Sequence, residues 1–347
     1  MVRAAESPAV PLARTRPAWW RRGVPQTQTA YVGVAFAALV VVIWILAPVF
    51  MTPRNLLNIS KNFSFIALMS LGETLVIISG GIDLSVGSVC ALSAVVTMML
   101  MRFLSATAAA QLPGATIALA ALLALMLAAL IGLVNGLLIA RVRLSPFVTT
   151  LGMLSVARGT TYVLTQGRAQ YPVGPDAAAF TRFANGAVLG LPTQLVYLLV
   201  LAVIMALALR HLVWGRHLYA VGGNAQAAAL AGVRVPRVVI SVYVLSGLAA
   251  GFSGVLIAGW LGAAPANLAT GYELRVIAAA VIGGANLAGG AGGAGGAAGA
   301  VIGPALIEVI RNGFVLIGAN TYWEEVFVGV IIIIAVLVDQ LRTRRVF

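Results

Sequence analysis

The chain has 347 residues, 61% of them hydrophobic and only 9% charged, with a formal net charge of +13 and a mean hydropathy of +1.03. An average soluble domain carries about 25% charged residues, so this composition excludes a soluble enzyme or binding module and indicates an integral membrane protein. The positive balance does not indicate nucleic acid, because the arginines are scattered between apolar runs instead of forming one basic face with interleaved aromatics.

Residues 1–29 hold Arg3, Arg14, Arg16, Arg21 and Arg22 with Pro8, Pro11, Pro17 and Pro25, too little apolar content to pack a core. They read as a flexible basic cytoplasmic tail ahead of a polytopic membrane domain over 30–347. The apolar run from Tyr31 to Phe50 is too long for a signal-peptide core and lacks a small-residue cleavage site, so a retained membrane helix is expected. Further spans are expected at 63–80, 86–104, 115–140, 147–165, 193–210, 238–260, 275–288, 296–317 and 323–341. The fold class is thus an all-α integral membrane protein with about ten transmembrane helices. Some are expected to be broken or re-entrant near the Gly-rich 283–303 stretch, where other helices or a cavity must satisfy the backbone. Placing the amino terminus inside puts Arg141, Arg143, Arg210, Arg216, Arg234, Arg237, Arg342, Arg344 and Arg345 on the cytoplasmic side with the basic tail. This arrangement leaves both termini cytoplasmic and obeys the positive-inside rule.

The segment VIISGGIDLSVGSV at 76–89 sets a carboxylate amid lipid-compatible sequence. On insertion scales such a group costs about 2.5–3.5 kcal/mol at the centre of a membrane helix, and it usually faces protein interior or a water-filled cavity. Gly80 and Gly81 can end one helix, while Asp83 or Ser85 can cap the next. Two readings follow: an ordinary cap at a tight helical break, or the same break, with Gly87, lining a conduit and presenting polar groups to a hydroxylated solute. Cys90, the single cysteine, lies in an apolar run and reads as a small buried hydrophobe.

The loop WGRHLYAVGGNAQAAALAGVRVPR at 214–237 contains a strong helix former, AQAAALAG, behind Gly222, Gly223 and Asn224. Asn224 is the expected N-cap and Gly232 the stop. A short helix with small side chains, Ala227 and Ala228 among them, suits a groove on a partner. His211 and His217 fall in one polar loop without a third ligand, so no metal site is expected.

GGANLAGG at 283–290 aligns without gaps to GGIDLSVG at 80–87, setting Asn286 opposite Asp83, as in transporters built from internal repeats. The following GGAGGAGGAAG contains a formal G-x-G-x-x-G at Gly290, Gly292 and Gly295. It lacks a preceding strand and an acid at the right spacing, so close helix packing is the better account. The only lysine, Lys61, has no Gly-rich loop before it. The chain therefore has no P-loop, and no paired carboxylates, HExxH or Ser/His/Asp arrangement supports an enzyme.

ETLVIISGGIDLSVGSVCALSA, PFVTTLGMLSVARGTTYVLTQGR, VGGNAQAAALAGVRV, YELRVIAAAVIGGANLAGGAGG and YWEEVFVGVIIIIAVLVD stand in this order over about residues 50–341. Together they resemble the membrane permease subunits of bacterial ABC importers of the ribose type. The chain departs from the pattern at NLAGGAGGAGG, where a more polar stretch ending in Gly-Gly-x-Gly is expected. The resemblance implies a multi-pass permease of the bacterial inner (plasma) membrane, surrounded by lipid, that carries a monosaccharide (a ribose-like sugar or related polyol). A second permease copy or a paralogue would enclose the path, and an external sugar-binding protein would deliver the solute. A cytoplasmic ATP-binding-cassette subunit would bind the ATP, leaving this chain without a cofactor. Gly222, Gly223, Asn224, Ala227, Ala228 and Gly232 would then couple to the ATPase, and Gly80, Gly81, Asp83, Ser85, Gly87 and Asn286 would lie at the path or its helix break. Alternatives are a permease of the branched-chain amino-acid type and a stand-alone secondary transporter using Glu73, Asp83 or Glu308.

Overall fold

The structure, a computed structural model, describes residues 28–290, 296–320, 323, 326–330 and 333. The expected tail, apart from its last two residues, most of the expected span at 323–341 and both chain ends lie outside the described residues. The elements run α1 (Gln28–Leu46), α2 (Pro53–Ile78), α3 (Val86–Leu104), α4 (Ala115–Ala140), α5 (Pro146–Thr165) and α6 (Ala177–Asn185). A hairpin of β1 (Ala187–Val188) and β2 (Leu191–Pro192) follows, then α7 (Thr193–His211), α8 (Val213–Gly223), α9 (Ala225–Leu230), α10 (Val235–Leu261), α11 (Tyr272–Ile282) and α12 (Gly296–Leu316). Among the described residues, six helices are long and apolar enough to cross a membrane: α2, α3, α4, α7, α10 and α12.

Two elements differ instructively from the apolar pattern. α2 begins at Pro53, ten residues before the expected 63, because Pro53 sits in its first turn, where a fixed φ and a missing amide are no handicap. The polar extension is anchored where Asn55 and Asn312 exchange amide hydrogen bonds of 2.9 Å each way. α11 replaces the expected span at 275–288 with eleven residues, about 16 Å of helix against a hydrocarbon core of about 30 Å. It stops because Gly284 takes φ +100°, a conformation costly for any residue with a Cβ.

α10 is the structural axis, packed along α4, α3 and α2. Backbone-to-backbone contact makes this possible: a Cβ on Gly132 would lie 2.2 Å from the Tyr243 carbonyl oxygen, and one on Gly254 2.1 Å from that of Cys90. Small residues at such crossings let dispersion contacts form without a hydrophobic driving force between helices in lipid. Cys90 is fully buried here, as its apolar run suggests. By contrast α4 and α7 leave many large apolar side chains exposed, among them Leu122, Met126, Val203 and Leu207, as lipid-facing helices do.

Candidate functional site

Two helices end the same way. At the end of α2 the Gly80 amide donates to the Ile77 carbonyl and the Gly81 amide to that of Val76; at the end of α11 the Gly284 amide donates to Val281 and Ala285 to Ala280. The i to i−5 bond with a left-handed residue, Gly80 at φ +86° or Gly284 at +100°, is the Schellman ending that satisfies otherwise orphaned carbonyls. Each break then makes an Asx turn: Asp83 Oδ1 accepts from the Ser85 amide at 2.9 Å, and Asn286 Oδ1 from the Ala288 amide at 2.8 Å. The gapless pairing of the two segments thus holds at Asp83 and Asn286 but slips by one at the helix end. There Gly80 corresponds to Gly284 instead of Gly283, because the second break is one residue shorter.

The breaks also touch. The Gly290 amide donates to the Ile78 carbonyl at 3.0 Å, and a Cβ on Gly289 would fall 2.9 Å from the Gly80 Cα. The third partner comes from the 214–237 loop. A Cβ on Gly222 would stand 1.7 Å from the Ile78 oxygen and 2.5 Å from the Gly290 nitrogen; one on Gly290 would stand 2.4 Å from the Gly223 Cα. Gly80, Gly222, Gly223, Gly289 and Gly290 therefore form one junction in which main chain lies on main chain. At Gly222, Gly289 and Gly290 a Cβ would strike backbone atoms closer than 3 Å, an approach that only glycine permits.

Beside the junction the first break closes over a buried polar cluster. Asp83 is 2% exposed, Ser85 1% and Glu73 fully buried. Asp83 Oδ1 accepts from Ser85 Oγ at 2.6 Å, and its Oδ2 accepts from Ser246 Oγ of α10 at 2.9 Å. The Asp83 amide donates to Glu73 Oε1 of α2 at 3.1 Å, and Asn135 Nδ2 of α4 donates to Ser85 Oγ at 3.1 Å. The Ile82 carbonyl accepts from Tyr243 OH of α10 and from Thr150 Oγ1 of α5, each at 3.3 Å. Ser85 occupies the N-cap position of α3 without a capping bond to it; its hydroxyl turns back to Asp83. Gly81 and Gly87 keep this corner tight, since a Cβ there would meet Tyr243 OH or Glu273 Oε2, each at 2.5 Å. The arrangement ties α2, α4, α5 and α10 to one loop through hydrogen bonds that low local dielectric strengthens.

In the loop, Asn224 caps α9 as expected, its Oδ1 accepting from the Ala227 amide at 2.9 Å. Gly232 follows at φ +86°. α9 stands out from the bundle: Ala227 is exposed, Leu230 is 92% exposed and Ala228 is the one buried residue of the helix. The structure thus brings Gly222 and Gly80 together around Gly289, sets Gly223 against Gly290, and joins Asp83 to Ser85. Asn224, Ala227, Ala228 and Gly232 stand apart on the projecting helix, and Asn286, half-buried, is engaged within its own turn. Sequence reasoning missed Ser246, Tyr243 and Asn135 as members of the cluster. The small, hydroxyl-bearing face Ser246, Gly247, Ala250, Ser253, Gly254 of α10 was the available signal.

The model of a family described as branched-chain amino acid transport system / permease component matches residues 55–336. The chain is 35% identical to the ribose import permease protein RbsC of Bacillus subtilis over 322 residues, 92% of this chain and 95% of that protein. It is 38% identical to RbsC of Escherichia coli K12 over 88% of this chain and 92% of that protein. It is 35% identical to the galactose/methyl galactoside import permease protein MglC of Escherichia coli K12 over 90% of this chain and 94% of that protein. No solved structure matches the chain significantly.

Proposed function

The chain belongs to the family of branched-chain amino acid transport system permease components, and from that premise we propose that it is the permease subunit of an ATP-binding-cassette importer carrying a monosaccharide across the bacterial inner membrane. The reading is carried by similarity over about nine tenths of the chain to permeases named for ribose and galactose. Those names favour a sugar over the branched-chain amino acid of the family description. It is a transport subunit and not an enzyme. The ATP is bound by a partner ATPase, and an external sugar-binding protein delivers the solute.

The bundle is read as ten spans over 30–347 with both termini cytoplasmic behind a flexible 1–29 tail. In that reading the 80–86 break, the 212–234 segment and the 283–290 break all fall on the cytoplasmic side, and their contact at the glycine junction supports it. α9, with Asn224, Ala227, Ala228, Leu230 and Gly232, docks on the ATPase. Displacement passes through Gly222 and Gly223 to the ends of α2 and of the 283–290 break, because main-chain contacts leave no soft side chain to absorb it. Gly80, Gly81, Asp83, Ser85, Gly87 and Asn286 then set the angle at which the broken helices meet near the path. A second copy or a paralogue completes that path; α5 supports this by exposing Gly152, Ser155 and Gly159, with open space beyond both glycines. The stand-alone ion-driven reading has less support, since Glu308 is held by Arg311 one turn on and Glu73 accepts the Asp83 amide.

The test uses the exposed Leu230. In a Leu230→Cys variant the only other thiol is the buried Cys90, so an impermeant maleimide should react from the cytoplasmic face and be blocked by the assembled ATPase. Labelling from the external face would reject the orientation, and labelling undiminished by the ATPase would reject the docking role.

A further inference from the structure

A cleft of about 390 Å³ opens between α2, α4, α7 and α10, walled by Leu75, Met205, Ala208, Leu248 and Phe252 with Trp214 of α8 at one end. Its lining carries no charged side chain. At the Trp214 end the chemistry changes. Trp214 Nε1 donates to Ser241 Oγ at 2.8 Å, and an arginine and a histidine share the helix faces that wall the cleft. On α10, Arg237, Ser241, Leu245, Leu248 and Phe252 recur at three- and four-residue steps; on α7, Leu201, Met205, Ala208 and His211 do the same. Such spacing sets each series on one face. Arg237 and His211 are both exposed, and no Asp or Glu occurs between Asp176 and Glu273, so the Arg237 guanidinium lies in a stretch of chain without a local counter-charge.

We propose that this cleft is a binding site for an anionic phospholipid of the leaflet on the 212–234 side: one acyl chain fills the apolar cleft, and the headgroup phosphate sits between Arg237 and His211 at its rim. An apolar recess between membrane spans is filled by the most abundant apolar molecule around it, and the Arg237 guanidinium at the interface selects the anionic headgroup, to which the His211 ring can donate a hydrogen bond. The indole of Trp214, apolar ring inward and N–H held by Ser241, marks the interfacial level. Since Trp214 stands in the first turn of the helix that leads to Gly222, the bound lipid braces the 213–223 segment against α2, α7 and α10.

The test is native mass spectrometry of the delipidated full chain titrated with phosphatidylglycerol or phosphatidylcholine of identical acyl chains. One phosphatidylglycerol should be retained at about fivefold lower concentration than phosphatidylcholine, the preference expected from one well-placed cation. Arg237→Ala with His211→Ala should abolish the preference while leaving chain occupancy. Ile204→Trp, at an exposed lining position, should reduce retention of both lipids; Ala208→Leu serves as a second occluding variant, with thermal melting as the folding check. Equal retention of the two lipids by the unaltered chain, or retention indifferent to both folded occluding variants, overturns the proposal. So does efficient disulfide formation between two copies carrying Ile204→Cys, which would assign the cleft to a second copy.

Discussion

The amide of Gly290 donates to the carbonyl of Ile78 at 3.0 Å, across 212 positions of sequence, and the backbone of Gly222 lies against both. This contact makes two helix breaks and one loop a single mechanical unit. Gly222→Ala should therefore be far more damaging than Gly223→Ala, because the new Cβ would stand 1.7 Å from the Ile78 oxygen in the first case and 4.0 Å from the nearest heavy atom in the second. Overpacking costs about 1–3 kcal/mol. The expected outcome is a lowered melting temperature and lost sugar-stimulated ATP hydrolysis for Gly222→Ala, with near-normal behaviour for Gly223→Ala. Equal tolerance of both would dissolve the junction.

Asp83 holds three donors at the first break, the Ser85 amide, Ser85 Oγ and Ser246 Oγ. Asp83→Ala leaves these buried donors unmet, at about 1–3 kcal/mol for each orphaned group, whereas Asp83→Asn keeps an acceptor oxygen for the Asx turn. Thermal melting in detergent should rank the variants wild type, Asn, Ala. An alanine variant as stable as wild type would show that the cluster does not hold the break together.

Much of this architecture was legible along the chain. α3 and α4 run over the residues their apolar patterns mark out, bounded by Ser85, Gly114 and Arg141, because helix ends in lipid coincide with changes of polarity. α9 was equally plain, with Asn224 before it and Gly232 after it. The polar opening of α2 was not, since helix formation there needs only Pro53 and suitable backbone, not hydrophobicity. Nor could sequence show that Gly80, Gly222 and Gly290 meet. A glycine announces that something approaches closely, but its partner lies far along the chain and leaves no local mark. Glu73 shows the same limit: its role is defined by the amide of Asp83, supplied after the chain has turned.

Asn224→Ala removes the one side-chain cap of α9, worth about 1 kcal/mol at such positions. Faster amide exchange at Ala227 and its neighbours should follow, with no change in the spans, and Asn224→Asp should restore protection. Exchange unaffected by the alanine would mean that contacts around Ala228, not the cap, hold the helix.

On the opposite side of the bundle Asp176 accepts from Thr116 Oγ1 and from the Gly114 amide, and these bonds hold its carboxyl below the usual range. A depressed carboxylate contributes stability that is complete above its unfolded value, about 3.9, and is lost as pH falls through its folded value. Thr116→Val should raise the titration midpoint of Asp176 by carboxyl-carbon NMR and shrink the loss of stability on acidification. An unchanged midpoint would remove the hydroxyl from the account.

The central claim is that this bundle is a passive gate moved from the cytosol by another polypeptide's nucleotide cycle. Its most direct test is uptake of labelled ribose and galactose by proteoliposomes containing the chain with and without its ATPase and sugar-binding partners. Accumulation should require both partners and ATP on the loop side. Accumulation by the chain alone would contradict it.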